Sequence, residues 1–133
     1  MTKYTDNTGN SSNSSGNVTT TTDYLFDLSE FEVFGTRSYA NQYEQNYQAQ
    51  YDYYKAGNTK IANNHTAVTT AVWWGLRSPN YGSSNNFVIV WTDGNNNNNN
   101  ANNSGGLRPG FCRYTRSNVV TEANGFSGER RPM

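Results

Sequence analysis

The chain has 133 residues, the length of one domain, with 10 basic and 10 acidic side chains and a formal net charge of zero. Its 14 Val, Leu and Ile with 6 Phe are few for a core, but 10 Tyr and 3 Trp exclude the aromatic-poor, highly charged composition of a disordered segment. A small aromatic-rich core is expected. The remainder is polar and uncharged, with 22 Asn, 15 Thr and 12 Ser, which excludes the positive field nucleic acid requires and a basic face for a membrane. No apolar run approaches a transmembrane span, and residues 1–22 lack the apolar centre of a signal peptide, so a soluble chain is expected. Cys112 is the only cysteine, which rules out an intrachain disulfide and a Cys-based zinc site. No cofactor or metal is expected.

Residues 1–23 are almost wholly Thr, Ser, Asn and Gly and read as a flexible arm. The alternative is that part of it is an edge strand whose partner strands lie outside this chain, since residues 3–6 and 18–22 are β-compatible. Order is expected from Tyr24, where a compact apolar cluster leads into Ser29-Glu30-Phe31-Glu32, the Ser-x-x-Glu spacing of a capping box and of a short helical turn. Residues 37–56 carry tyrosines at 39, 43, 47, 51 and 54. These steps of four, four, four and three predict one helix with an aromatic face on the core, stopped at Gly57.

Residues 67–76 read as a strand closed by Arg77-Ser78-Pro79-Asn80. The strongest strand is 87–91, ending at the turn pair Asp93-Gly94. An asparagine-rich loop follows, and residues 107–112 are expected to return as a last strand with Pro109 at its edge. The pattern is then lost, and 113–133 reads as a disordered tail.

Signs of chemistry are sparse. His65 is the only histidine and lies in a run of Asn, Ala and Thr with no neighbouring nucleophile or carboxylate, so it reads as a loop residue. Asp23, Asp27, Glu30, Glu32, Glu44, Asp52 and Asp93 read as surface or turn carboxylates, with no evident acid/base pair. The glycines at 105, 106 and 110 form no phosphate-binding motif. Trp91-Thr92-Asp93 echoes the calcium corner of animal lectins, but Ser78-Pro79-Asn80 lacks the carboxylate that corner needs. The asparagine run is the remaining feature. Each side chain offers a donor and an acceptor, and apolar strands hold both ends, as befits a recognition loop; composition alone would equally suit low-complexity filler.

Val72-Trp73-Trp74-Gly75-Leu76-Arg77-Ser78-Pro79, residues 87–91, Asp93-Gly94 and Gly105-Gly106-Leu107-Arg108-Pro109-Gly110-Phe111-Cys112 form an ordered set. The set resembles the C-terminal domain of phage and gut-bacterial proteins with the C-type lectin fold of the formylglycine-generating-enzyme type. Several members are variable proteins of diversity-generating retroelements, such as phage receptor-binding proteins. The resemblance covers residues 24–112. It implies an α+β, C-type-lectin-like fold, of which this chain would be an incomplete C-terminal part, and a surface of changeable residues that binds ligand without catalysis. Gly75 stands where the family often has a third tryptophan, implying a hole or kink. Asparagine codons begin with two adenines, so adenine-directed mutagenesis would diversify 95–100 without creating a stop.

The expected function is a non-enzymatic ligand-recognition module, a phage or prophage receptor-binding or variable protein on a virion or bacterial cell surface. Its contacts are assigned to Tyr81, Asn85, Asn86, Trp91, Asn95, Asn96, Asn97, Asn98, Asn99, Asn100, Asn102 and Asn103, with rings supplying area and amides adaptable hydrogen bonds. Expected partners are a cell-surface protein or glycan, not nucleic acid or a membrane, and homo-oligomers are compatible. Arg77 and Arg108 are assigned to bracing strand ends and loop carbonyls. The alternative is a structural virion protein, of fibre or decoration type, whose same face makes subunit contacts.

Overall fold

The computed structural model describes residues 2–6, 18–45 and 48–111. The tail at 113–133, Cys112 and Tyr47 lie outside the described residues. In chain order the elements are β1 (Thr2–Asp6), β2 (Val18–Thr22), β3 (Leu25–Phe26), α1 (Glu30–Phe34), a 3-10 turn (Gln42–Gln45) and α2 (Asp52–Lys55). Then follow β4 (Ala62–Asn63), β5 (Ala71–Val72), β6 (Trp74–Pro79), β7 (Asn86–Val90), β8 (Asn96–Asn100) and β9 (Gly110–Phe111). All the strand pairs are antiparallel: β1 with β2, β3 with β9, β4 with β5, and a three-stranded sheet in the order β6-β7-β8. This is a small mixed α+β fold with few, short helices.

Phe26, Leu28, Val33, Tyr54, Trp74, Leu76, Val88 and Val90 make one core, with Phe34, Tyr39 and Tyr51 packed against it. Three large rings at its centre supply the area that the scarce aliphatics cannot. Trp74 is fully buried, and its indole N–H donates to the Lys60 carbonyl at 2.9 Å. Pairing of Leu25 with Phe111 and Phe26 with Gly110 joins β3 to β9, the last strand among the described residues.

The capping box is present as spaced. The Ser29 hydroxyl accepts the Glu32 N–H, while the Glu32 carboxylate accepts the Ser29 N–H, and Gly35 in left-handed backbone (φ 69°) ends α1. The tyrosine helix over 37–56 does not form. Its amides find acceptors elsewhere: Glu30 takes those of Ser38, Tyr39 and Ala40, the Asn41 side chain takes that of Tyr43, and the Glu32 carbonyl takes that of Tyr51. Among the described residues of this segment, the 3-10 turn and α2, each four residues long, are the helical elements. Tyr39, Tyr51 and Tyr54 still reach the core. Gly57, at φ 81°, stops α2 where the sequence indicates.

Within the segment read as an arm, β1 and β2 pair with each other from Thr2–Thr22 to Asp6–Val18; the strands that the alternative foresaw are there, but their partners lie within the chain and not outside it. The strand read at 67–76 is shifted: 67–70 is a turn, and β6 runs through Pro79, which pairs with Phe87. Between Gly75 and Pro79, β6 slips register, and there the Arg77 N–H donates to the Leu28 carbonyl at 3.0 Å. This bulge sits beside Gly75.

Candidate functional site

The asparagine run is a strand, which corrects its reading as a loop. Asparagine is a poor strand former, yet β8 pairs with β7 at every residue, from Asn86–Asn100 to Val90–Asn96. The turn before it explains how. The Gly94 N–H donates to the Trp91 carbonyl and the Trp91 N–H to the Asn95 carbonyl, with Gly94 at φ 87°. That is a three-residue hairpin loop whose glycine supplies the left-handed position, and it sets the register of all that follows. At the far end the Ala101 N–H donates to the Asn85 carbonyl.

Asp93 organises the turn. Its carboxylate accepts the Asn95 N–H at 2.9 Å and the Asn95 amide at 3.0 Å, and these bonds, the backbone one first, hold its carboxyl below the usual range. A carboxylate lowered in the folded state adds stability above the unfolded aspartate's pKa and loses it as pH falls through the folded value. Melting temperature against pH should therefore show the advantage of the wild type over Asp93→Asn shrinking as pH drops through the carboxylate range. A difference independent of pH would contradict this.

Opposed residues in an antiparallel pair share a face, which divides the run in two. Asn97 and Asn99, opposite Ile89 and Phe87, lie on the outer face. Asn96 and Asn98, opposite Val90 and Val88, lie on the core side. Asn96 is committed there: its amide donates to Glu30 Oε1 at 3.0 Å and to the Ser38 hydroxyl at 2.9 Å. Asn98 accepts from the Asn86 amide at 2.6 Å. Asn86, Asn96 and Asn98, expected as ligand contacts, are thus occupied within the fold.

β8 is also the sheet edge. The bonded pairs turn the backbones of Asn97 and Asn99 toward β7, so the N–H groups of Asn98 and Asn100 point outward. Both are covered by their neighbours: Asn97 Oδ1 accepts from Asn98 at 2.8 Å and Asn99 Oδ1 from Asn100 at 2.9 Å. Asn103 donates its amide to Asn99 Oδ1 at 2.7 Å. An edge whose amides are bonded to its own side chains is blunted against strand addition.

Outside β8, Trp91 (39% exposed) and Asn95 stand at one end of the β7–β8 hairpin, and Tyr81 (38% exposed) and Asn85 near the other, with Asn102 exposed after β8. On the outer face a groove of about 410 Å³ is lined by Trp73, Gly75, Arg77, Phe87, Ile89 and Asn99, among others. A Cβ at Gly75 would meet nothing within 4 Å.

Under this surface lies a polar network that sequence reading missed. Glu30, Glu32 and Glu44, expected at the surface, are fully buried or nearly so. Glu30 accepts from three successive backbone N–H groups and from Asn96; Glu32 binds Arg77 at 2.7 Å; Glu44 accepts from the Ser78 hydroxyl, which itself accepts the Glu30 N–H at 2.8 Å. A chain short of aliphatic side chains knits its loops together with these carboxylates. The capping box was the one local signal, and it pointed to Glu32 alone. Arg77 Nη1 also donates to the Asp27 carbonyl at 2.6 Å, the bracing expected of it. Burial raises the Asp27 carboxyl and the nearby Arg77 charge opposes that rise. Arg108 braces differently, its guanidinium lying 5.4 to 5.8 Å from the ring centres of Tyr53, Tyr54 and Trp74.

Among the described residues no group of three His, Cys, Asp or Glu could hold a metal ion, and no helix is long and apolar enough to cross a membrane. Fold and surface together define a small α+β domain that displays a fully paired asparagine strand at a sheet edge. The chain belongs to the family described as "Domain of unknown function (DUF6273)", whose model matches residues 1–112. No curated protein and no solved structure matches it.

Proposed function

We propose that this protein is a non-enzymatic recognition module, a C-type-lectin-like domain of the phage or prophage receptor-binding type. One observation carries the reading: the ladder to β7 is complete, so the outward amides of Asn97 and Asn99 are displayed at fixed positions rather than on a flexible loop. Order before binding lowers the entropic cost of association. With Trp91 and Asn95 at one end and Tyr81 and Asn85 near the other, the strand offers rings and amides on a rigid support. The fixed role of Asn96 narrows the changeable positions to those facing outward. The covered edge amides favour contact through side chains over assembly by strand pairing.

The test is the double variant Asn97→Ala/Asn99→Ala, assayed for adhesion to bacterial host cells, for melting temperature and by sedimentation. Adhesion should fall at least about tenfold, while stability falls by no more than about 1–2 kcal/mol, since the two side chains accept from Asn98, Asn100 and Asn103 only at an exposed edge where water can replace them. Unchanged adhesion would sink the proposal. Loss of an oligomer instead of adhesion would favour the structural alternative.

A further inference from the structure

We infer that a second cavity, on the other side of the Trp73 ridge from β8, binds a neutral pyranose sugar. It measures about 530 Å³, within the size range of small-molecule sites, and no residue of β8 lines it. Its apolar wall is formed by Val72, Trp73 and Leu107. Its polar groups are Asn63, Asn64, His65, Thr92 and Ser104, so no carboxylate, lysine or arginine lines it. A ring to stack on, beside uncharged donors and acceptors, is the chemistry of a polyhydroxylated neutral ligand: the sugar's C–H face lies on the negative face of the indole, and its hydroxyls exchange hydrogen bonds with amides and side-chain hydroxyls. A charged peptide or an anionic sugar would find no carboxylate, lysine or arginine there to pair with.

The site is also pre-organised. The Asn64 carboxamide oxygen accepts the Thr66 N–H at 2.9 Å and hydroxyl at 2.8 Å, which fixes the side chain and leaves its NH₂ as the donating end. The side chains of Asn63, His65, Thr92 and Ser104 make no hydrogen bond among the described residues and are available. Trp73 is clamped by Gly105, whose Cα carries no side chain where the indole lies, and the Gly106 N–H donates to the Trp73 carbonyl at 2.9 Å.

The inference does not rest on the recognition role of β8, and one set of experiments separates them. Tryptophan fluorescence and saturation-transfer NMR are recorded with methyl glycosides of glucose, galactose, mannose and N-acetylglucosamine, and with glucuronate and sialic acid. At least one neutral glycoside should bind, with the acidic sugars weaker. Asn63→Ala and Thr92→Ala, both outside the core, should each weaken binding about three- to tenfold with an unchanged melt, the loss of one hydrogen bond apiece. Binding should survive in Asn97→Ala/Asn99→Ala. The inference is overturned if no neutral sugar binds, if only the acidic sugars bind, or if affinity is unmoved by Asn63→Ala and Thr92→Ala but lost in the β8 variant.

Discussion

Glu30→Ala is expected to destabilise the protein by about 3–5 kcal/mol, because it leaves several neutral donors without their acceptor, at about 1–3 kcal/mol for each that stays buried. Small domains have only about 5–15 kcal/mol in total, so much of the population would unfold under mild conditions. The Glu30 side chain is 0% exposed. It accepts the N–H groups of Ser38 and Ala40, each at 2.8 Å, that of Tyr39 at 3.1 Å and the Asn96 amide at 3.0 Å. Truncation strands four donors at once where water cannot easily replace the carboxylate. Glu30→Gln keeps the shape but puts an NH₂ against N–H donors, so it too should destabilise, by less. Urea unfolding measures both effects, and hydrogen exchange at residues 38–40 localises them. A loss under about 1 kcal/mol for the alanine variant would mean that the carboxylate does not hold this loop. The same substitution releases Asn96, so β8 should lose order in parallel.

Gly105→Ala should be nearly as damaging, through overlap rather than lost bonds. A Cβ at that position would lie 2.0 Å from Trp73 Cζ3 and 2.2 Å from Cη2. The indole must turn toward one of the two cavities it borders or the backbone must move, straining the bonds from Gly106 N–H to the Trp73 carbonyl (2.9 Å) and from Gly75 N–H to the Gly106 carbonyl (3.1 Å). Overpacking costs about 1–3 kcal/mol, and straining these bonds adds to it. Melting temperature and the near-ultraviolet signal of the tryptophans should fall together. Gly75→Ala is the control: with nothing within 4 Å of its Cβ and no left-handed backbone, it should be neutral or slightly stabilising. Equal effects at the two glycines would refute the packing of residues 104–106 on Trp73.

The sequence by itself determined what short-range chemistry controls: the capping box at Ser29 and Glu32, the turn at Gly94, the strand read at 87–91 and found at 86–90, the stop at Gly57 and a core centred on rings. Each depends on partners a few residues away, or on composition, and so can be read in one dimension. Only the tertiary structure decided the fate of the tyrosine repeat and of the asparagine run. The repeat satisfies a helical period, but acceptors brought in from α1 take its amides, and a helix cannot form where its donors are already bonded. The run has the composition of a loop, yet β7 supplies a complete ladder, and 66 residues of chain separate Asn96 from the carboxylate that anchors it. Propensity weighs a residue against water; in the folded chain it competes instead with groups whose positions the local sequence does not encode.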